Sequence, residues 1–96
     1  MSACQYNECL IARIQGRVQG VGFRYHTQIQ ANRLGISGWV RNCKDGAVEA
    51  CIGGSEAQVA AMKQWLKQGP DCARVESIEF STGHLPESCN DFRIQY

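Results

Sequence analysis

Residues 9–35 read CLIARIQGRVQGVGFRYHTQIQANRLG, and the period of their apolar positions changes partway along. From Cys9 to Gln15 the chain alternates, with Leu10, Ala12 and Ile14 on one side and Cys9, Ile11, Arg13 and Gln15 on the other. That is the pattern of a half-buried strand. From Phe23 the recurring positions become Phe23, Thr27, Ala31 and Leu34, a helical stripe that Gly35 ends at the usual C-terminal stop. Strand and helix are joined by Gly16-Arg17-Val18-Gln19-Gly20-Val21-Gly22-Phe23-Arg24. Its three glycines let main-chain N–H groups turn toward one point, which the partial positive charge of the helix N-terminus also faces. Arg24 adds a full positive charge in the first helical turn, where the dipole disfavours it by roughly 0.3–1 kcal/mol. A local rule broken at such a turn marks a candidate functional site, here an anion cradle.

Beyond Gly35, Ile36 to Arg41 reads as a second strand and Asn42-Cys43-Lys44-Asp45-Gly46 as a turn. Ala47 to Ile52 follows as a third strand, in which Val48, Ala50 and Ile52 alternate with Glu49 and Cys51, so the pair forms a hairpin. Gly53-Gly54 breaks it, and Ser55-Glu56-Ala57-Gln58 is a capping box that opens a second helix with Val59, Met62 and Leu66 inward. Gly69-Pro70 ends that helix; Val75 to Thr82 is a fourth strand, Gly83 to Asn90 a surface loop, and Asp91 to Tyr96 a short last strand. The order β-α-β-β-α-β predicts an α+β, ferredoxin-like split β-α-β sandwich. Its antiparallel sheet carries both helices on one face, with a short extra C-terminal strand. Residues 1–96 form a single domain, with 1–7 expected as a loosely ordered N-terminal segment.

Ten Lys+Arg against nine Asp+Glu leave a net charge of +1, without the basic excess that nucleic-acid or membrane-surface binding calls for. Any anion site is therefore local. No apolar stretch is long enough to span a membrane and Met1 to Leu10 is too polar for a signal peptide, so the expected compartment is the cytoplasm. The six cysteines, at 4, 9, 43, 51, 72 and 89, show neither a C-x-x-C pair nor zinc spacing. Reduced thiols are expected in a reducing compartment. Strands one and three are antiparallel neighbours in the expected sheet, however, which leaves open a Cys9–Cys51 disulfide on its uncovered side.

The loop Gly16 to Arg24, followed by Gly38-Trp39-Val40-Arg41-Asn42-Cys43-Lys44-Asp45-Gly46-Ala47-Val48 and by Gly54, closely resembles the two signatures of acylphosphatases. Length, element order and the ending Asp91-Phe92-Arg93-Ile94-Gln95-Tyr96 are similar to that family as well. The resemblance implies a small ferredoxin-like enzyme that hydrolyses carboxyl-phosphate anhydrides with neither metal nor cofactor. It assigns phosphate binding to Arg24 and to the loop Gly16, Arg17, Val18, Gln19, Gly20 and Val21, and orientation of water to Asn42. The implied partner is a small-molecule acyl phosphate, with phosphate as product or inhibitor, acted on by a monomer.

The chemistry read from the residues is compatible. An acyl phosphate carries a carboxylate leaving group, so charge stabilisation and water placement suffice without a strong acid or a covalent nucleophile. Loop N–H groups can hold phosphoryl oxygens while the Arg24 fork takes two of them. Asn42, at the end of the second strand, reaches the same sheet edge; its neutral amide fixes a water by donating and accepting without repelling the phosphate. A carboxylate base there would meet repulsion, which leaves the substrate's own phosphate to take the proton. Taken singly, the glycines are turn formers, Arg24 a solvated charge and Asn42 a turn residue. Their coincidence points to a site. His26 reads as surface packing and Trp39 and Trp65 as core or half-core. Arg17, Arg41 and Lys44 read as solvated charges that could also steer an anion. The alternative is a non-catalytic ferredoxin-like ligand- or RNA-binding module, for which the open face of strand three offers only Glu49 and Cys51.

Overall fold

The computed structural model describes residues 6–86 and 89–96. Seven elements follow one another: β1 (Tyr6–Arg17), α1 (Phe23–Leu34), β2 (Ser37–Asn42), β3 (Val48–Gly53), α2 (Glu56–Gln68), β4 (Arg74–Pro86) and β5 (Phe92–Gln95). They build one five-stranded sheet in the order β4-β1-β3-β2-β5 with two helices packed on it, the expected ferredoxin-like sandwich. The first four strands pair antiparallel throughout, whereas β5 joins the edge parallel to β2 and makes the sheet mixed.

Alternation in β1 decides which face is covered. Ala12 and Ile14 are fully buried beneath the helices with Val40, Val48, Ala50 and Ile52 from the neighbouring strands. Phe23, Thr27 and Ala31 of α1 and Met62 and Leu66 of α2 close the same core. Removing a side chain such as Phe23 or Leu66 from water is worth roughly 1.5–3 kcal/mol, so this one layer carries most of the stability. Thr27 is polar, and its hydroxyl is satisfied by donating to the Phe23 carbonyl at 2.7 Å. Gly35 ends α1 in the left-handed conformation, its N–H reaching the Ala31 and Asn32 carbonyls.

Two boundaries differ from the sequence reading. Residues 83–86, expected in a surface loop, continue β4, and Tyr6 and Asn7, expected in a loose segment, pair with Pro86 and Leu85. The cause is mutual: each strand extends as far as the other supplies a hydrogen-bonding partner, and a lone glycine such as Gly83 weakens a strand without ending it. The remainder of that N-terminal segment, 1–5, lies outside the described residues, as does Cys4.

The face away from the helices is also partly covered. Cys9, Cys51 and Leu85 are buried there, with Ile11, Trp39 and Cys89 packed beside them. Cys9 and Cys51 are joined as a disulfide with their Cα atoms 6.3 Å apart, which corrects the expectation of reduced thiols for this pair. The ladder sets Ile11 opposite Cys51, so the two cysteines meet on the diagonal and not face to face. Cys43, Cys72 and Cys89 are free.

Candidate active site

The loop between β1 and α1 is shaped at both ends by glycine. At Gly16 the pairing of β1 with β4 shifts register by one residue, and φ is 132°. A Cβ there would overlap the Arg74 carbonyl oxygen, so only glycine fits. At the other end Gly22 sits in the left-handed region, φ 76°, as the N-cap of α1 without any side-chain cap. Its carbonyl accepts the His26 main-chain N–H at 3.0 Å and lies 2.8 Å from His26 Nδ1. His26 therefore braces the loop from outside, a role not legible in its sequence position. The N–H groups of the first turn receive nothing from a capping side chain, and no acidic residue stands in that turn.

Arg24 occupies that turn. Its guanidinium donates from Nη1 to the Gln95 carbonyl at 3.4 Å and lies over the Tyr96 ring, 5.0 Å from its centre. Among the described residues it makes no ion pair. Gln28, one turn later, donates to the Phe92 carbonyl at 3.0 Å and fixes α1 on β5.

Asn42 arrives from the other side. It ends β2, opposite Val48 of β3, and the 43–47 turn behind it is tied at several points. Cys43 N–H donates to Ala47 O at 2.8 Å, and Asp45 accepts the Ala47 N–H at 3.1 Å. Arg13 forms an ion pair with Asp45 and also reaches the Cys43 Sγ at 3.8 Å. The Ala47 N–H first, and then the Arg13 guanidinium, hold the Asp45 carboxyl below its ordinary range, while Asp45 raises Arg13. The contact therefore persists at a pH where an unperturbed carboxylate is half protonated. Cys43, which has no hydroxyl to offer, serves this turn as part of the Arg13 contact.

Loop and turn are linked by Gln19. Its Nε2 donates at 2.8 Å to both the Cys43 and the Ala47 carbonyls, so one amide uses both of its protons to bind the loop to the turn that carries Asn42. Sequence reasoning placed Gln19 in the loop but missed this tie, because its acceptors lie 24 and 28 residues away on a separate element.

Val18, Gly20, Gly22, Arg24 and Asn42 line one cavity of about 190 Å³. Of the other loop positions, Gly16 and Arg17 belong to the end of β1, Arg17 exposed and paired in register with Arg74. Val21 lines a neighbouring hollow with Trp65. Arg41 stacks on Trp39 at 5.1 Å and pairs with Glu49 at 2.6 Å on the open face. Among the described residues no three His, Cys, Asp or Glu side chains converge as metal ligands.

No helix is long and apolar enough to cross a membrane. Comparison with known proteins places the fold and the loop in a common setting. The acylphosphatase family model matches residues 10–94. The acylphosphatase of Rhizobium etli is 47% identical over 89 residues, which cover 93% of this chain and 95% of that protein. That of Pseudomonas paraeruginosa is 55% identical over 71 residues, 74% of this chain and 78% of that protein. The crystal structure of acylphosphatase from Bacillus subtilis matches with a TM-score of 0.86 at 33% identity, covering 94% of this chain and all of that one. The chain belongs to the acylphosphatase family and is an acyl-phosphate hydrolase.

Proposed function

We propose that hydrolysis is divided between two halves of the cavity: Arg24 and the loop backbone hold the phosphoryl group, and Asn42 aims the attacking water. The observation that carries this reading is the shared cavity, since Arg24 and Asn42 come from separate elements and meet across a wall of loop glycines. Phosphoryl oxygens accept from the loop N–H groups, from the uncapped first turn of α1 and from the Arg24 fork. In the loose transition state charge is shared between the three phosphoryl oxygens and the departing acyl oxygen, and donors fixed in advance stabilise it without reorganising. The Asn42 amide holds a water in line with that bond, donating to it and accepting from it. Water oxygen bonds to phosphorus, the acyl oxygen leaves with the P–O electron pair as a carboxylate, and the water's proton passes to a phosphoryl oxygen. The products are a carboxylate and orthophosphate, and no cofactor is required.

The same reading takes the enzyme as a cytoplasmic monomer that acts on a small-molecule acyl phosphate. The rival reading, a nucleic-acid-binding sheet, is disfavoured by charge: Arg13, Arg41 and Arg93 stand on the open face and each has a carboxylate partner, Asp45, Glu49 and Asp91. Phosphate release from acetyl phosphate in a chelator-containing buffer tests the proposal. Wild type should turn over, and both Arg24→Ala and Asn42→Ala should not; normal rates in both variants would remove the assignment.

A further inference from the structure

The first turn of α1 has no cap in front of it, yet two of its peptide groups are held from behind. The Gly22 carbonyl accepts twice from one residue, the His26 main-chain N–H at 3.0 Å and the His26 Nδ1 at 2.8 Å. A carbonyl oxygen only accepts, so Nδ1 carries the proton. One peptide further on, the Phe23 carbonyl accepts the Thr27 hydroxyl at 2.7 Å. Each carbonyl shares a planar trans unit with the N–H of the next residue, Phe23 in the first case and Arg24 in the second. In such a unit C=O and N–H point in opposite directions. A side chain that holds the oxygen down the helix therefore aims the N–H out of the helix N-terminus. These N–H groups have no acceptor within the helix, and Gly22, Phe23 and Arg24 all line the cavity shared with Asn42.

We propose that His26 is a positioning residue for hydrolysis: through the Gly22 carbonyl it aims and polarises the Phe23 N–H toward the phosphoryl group, as Thr27 does for the Arg24 N–H from the buried side. This rests on the phosphate placement proposed above. Two effects act together. A peptide fixed before the anion arrives needs no reorganisation when charge is redistributed in the reaction. A carbonyl that accepts additional hydrogen bonds also leaves its own N–H a stronger donor, by about 10–30% per bond. The brace is needed at this peptide because Gly22, with φ at 76°, has no side chain of its own to restrict it. The imidazole is itself oriented: it packs edge-on against Tyr25 with ring centres 5.5 Å apart, and a Cβ on residue 22 would lie 3.4 Å from its Nδ1. His26 is exposed and lines the neighbouring hollow with Val21 and Trp65, so it acts through the Gly22 peptide and not on the substrate.

Two substitutions separate the hydrogen bond from the ring. His26→Phe keeps a ring against Tyr25 and Gly22 but has no donor, whereas His26→Asn loses the ring and keeps a side-chain N–H as many bonds from the backbone as Nδ1. With acetyl phosphate as substrate, His26→Phe should lower kcat/KM and weaken inhibition by inorganic phosphate, each by about three- to tenfold. His26→Asn should stay within about twofold of wild type on both. Denaturant unfolding reads stability separately, so a merely structural role shows as a stability loss with the kinetics of the folded protein unchanged, and that result overturns the inference. Equal kinetic losses in the two variants, or none in either, overturn it as well. In wild type, saturating inorganic phosphate should move the Phe23 amide proton downfield in proton–nitrogen correlation spectra. A Phe23 amide that does not respond contradicts the inference whatever the variants do, including a variant that fails to fold. Normal kinetics in His26→Phe beside an inactive Arg24→Ala remove this inference alone; normal kinetics in Arg24→Ala remove the phosphate assignment beneath it.

Discussion

Helix α2 begins with Ser55, whose hydroxyl accepts the Gln58 N–H at 3.2 Å while the Gln58 side chain accepts the Ser55 N–H at 2.7 Å, and Glu56 follows in the first turn. Helix α1 begins with Gly22, has no side-chain cap, and has Arg24 in its first turn, whereas the first turn of α2 has Glu56. The two N-termini face the same physical problem, unpaired N–H groups at the positive end of a dipole, and resolve it in opposite ways. At α2 the protein supplies its own acceptor and its own negative charge. At α1 it supplies neither and adds a positive charge, which on the proposed reading leaves the place to an external anion. On the proposed reading, the contrast separates a terminus capped for stability from one left open for an anion.

The largest effect that should break the contrast is removal of the added charge. Arg24→Ala is expected to lower kcat/KM for an acyl phosphate by about a hundredfold or more and to weaken inhibition by inorganic phosphate in parallel, since a charged bidentate donor is lost. Next, Gly22→Asp gives α1 the kind of cap that α2 has. Placing a carboxylate at the cradle should reduce turnover and phosphate inhibition by about tenfold or more through like-charge repulsion, measured in the same inhibition assay. It should also strain the backbone by roughly 1–2 kcal/mol, because φ at Gly22 is 76°. Denaturant unfolding reads that separately. Gln19→Ala cuts the tie between the halves, removing a donor from the Cys43 carbonyl and one of the two donors to the Ala47 carbonyl; turnover should fall several-fold, with phosphate inhibition changed by about twofold at most, because the loop still folds around its glycines. The smallest effect sharpens the comparison from the other side: Ser55→Ala should cost about 1 kcal/mol of stability and leave turnover unchanged.

The same contrast explains what was legible in the sequence. The α2 terminus could be read outright, since Ser55 and Gln58 cap each other within one turn. So could the core, because the alternation of Ala12 and Ile14 and the stripe Phe23, Thr27, Ala31 each reflect which face is covered. At α1 the absence of a cap and the presence of Arg24 were visible, but what completes the site was not. The two Gln19 bonds, the His26 brace on Gly22 and the Arg13–Asp45 ion pair join residues through the tertiary fold or through an unforeseen rotamer. Of these, Asp45 was the nearest to legible, as an Asp two residues before the Ala47 N–H it accepts in a tight turn. The bonded pair Cys9 and Cys51 sits on neighbouring strands at a diagonal that only the register fixes. Strand β4 ran past Gly83 because β1 offered partners to Tyr6, which composition alone does not disclose.

The central claim is that the two halves of the cavity do different work, and Asn42→Ala measured for turnover and for inorganic-phosphate inhibition tests it most directly. The account predicts that turnover drops by about a hundredfold or more while the inhibition constant for phosphate stays within about twofold of wild type, because the anion half is untouched. Turnover close to wild type, or a loss of phosphate inhibition as large as the loss of turnover, would contradict it.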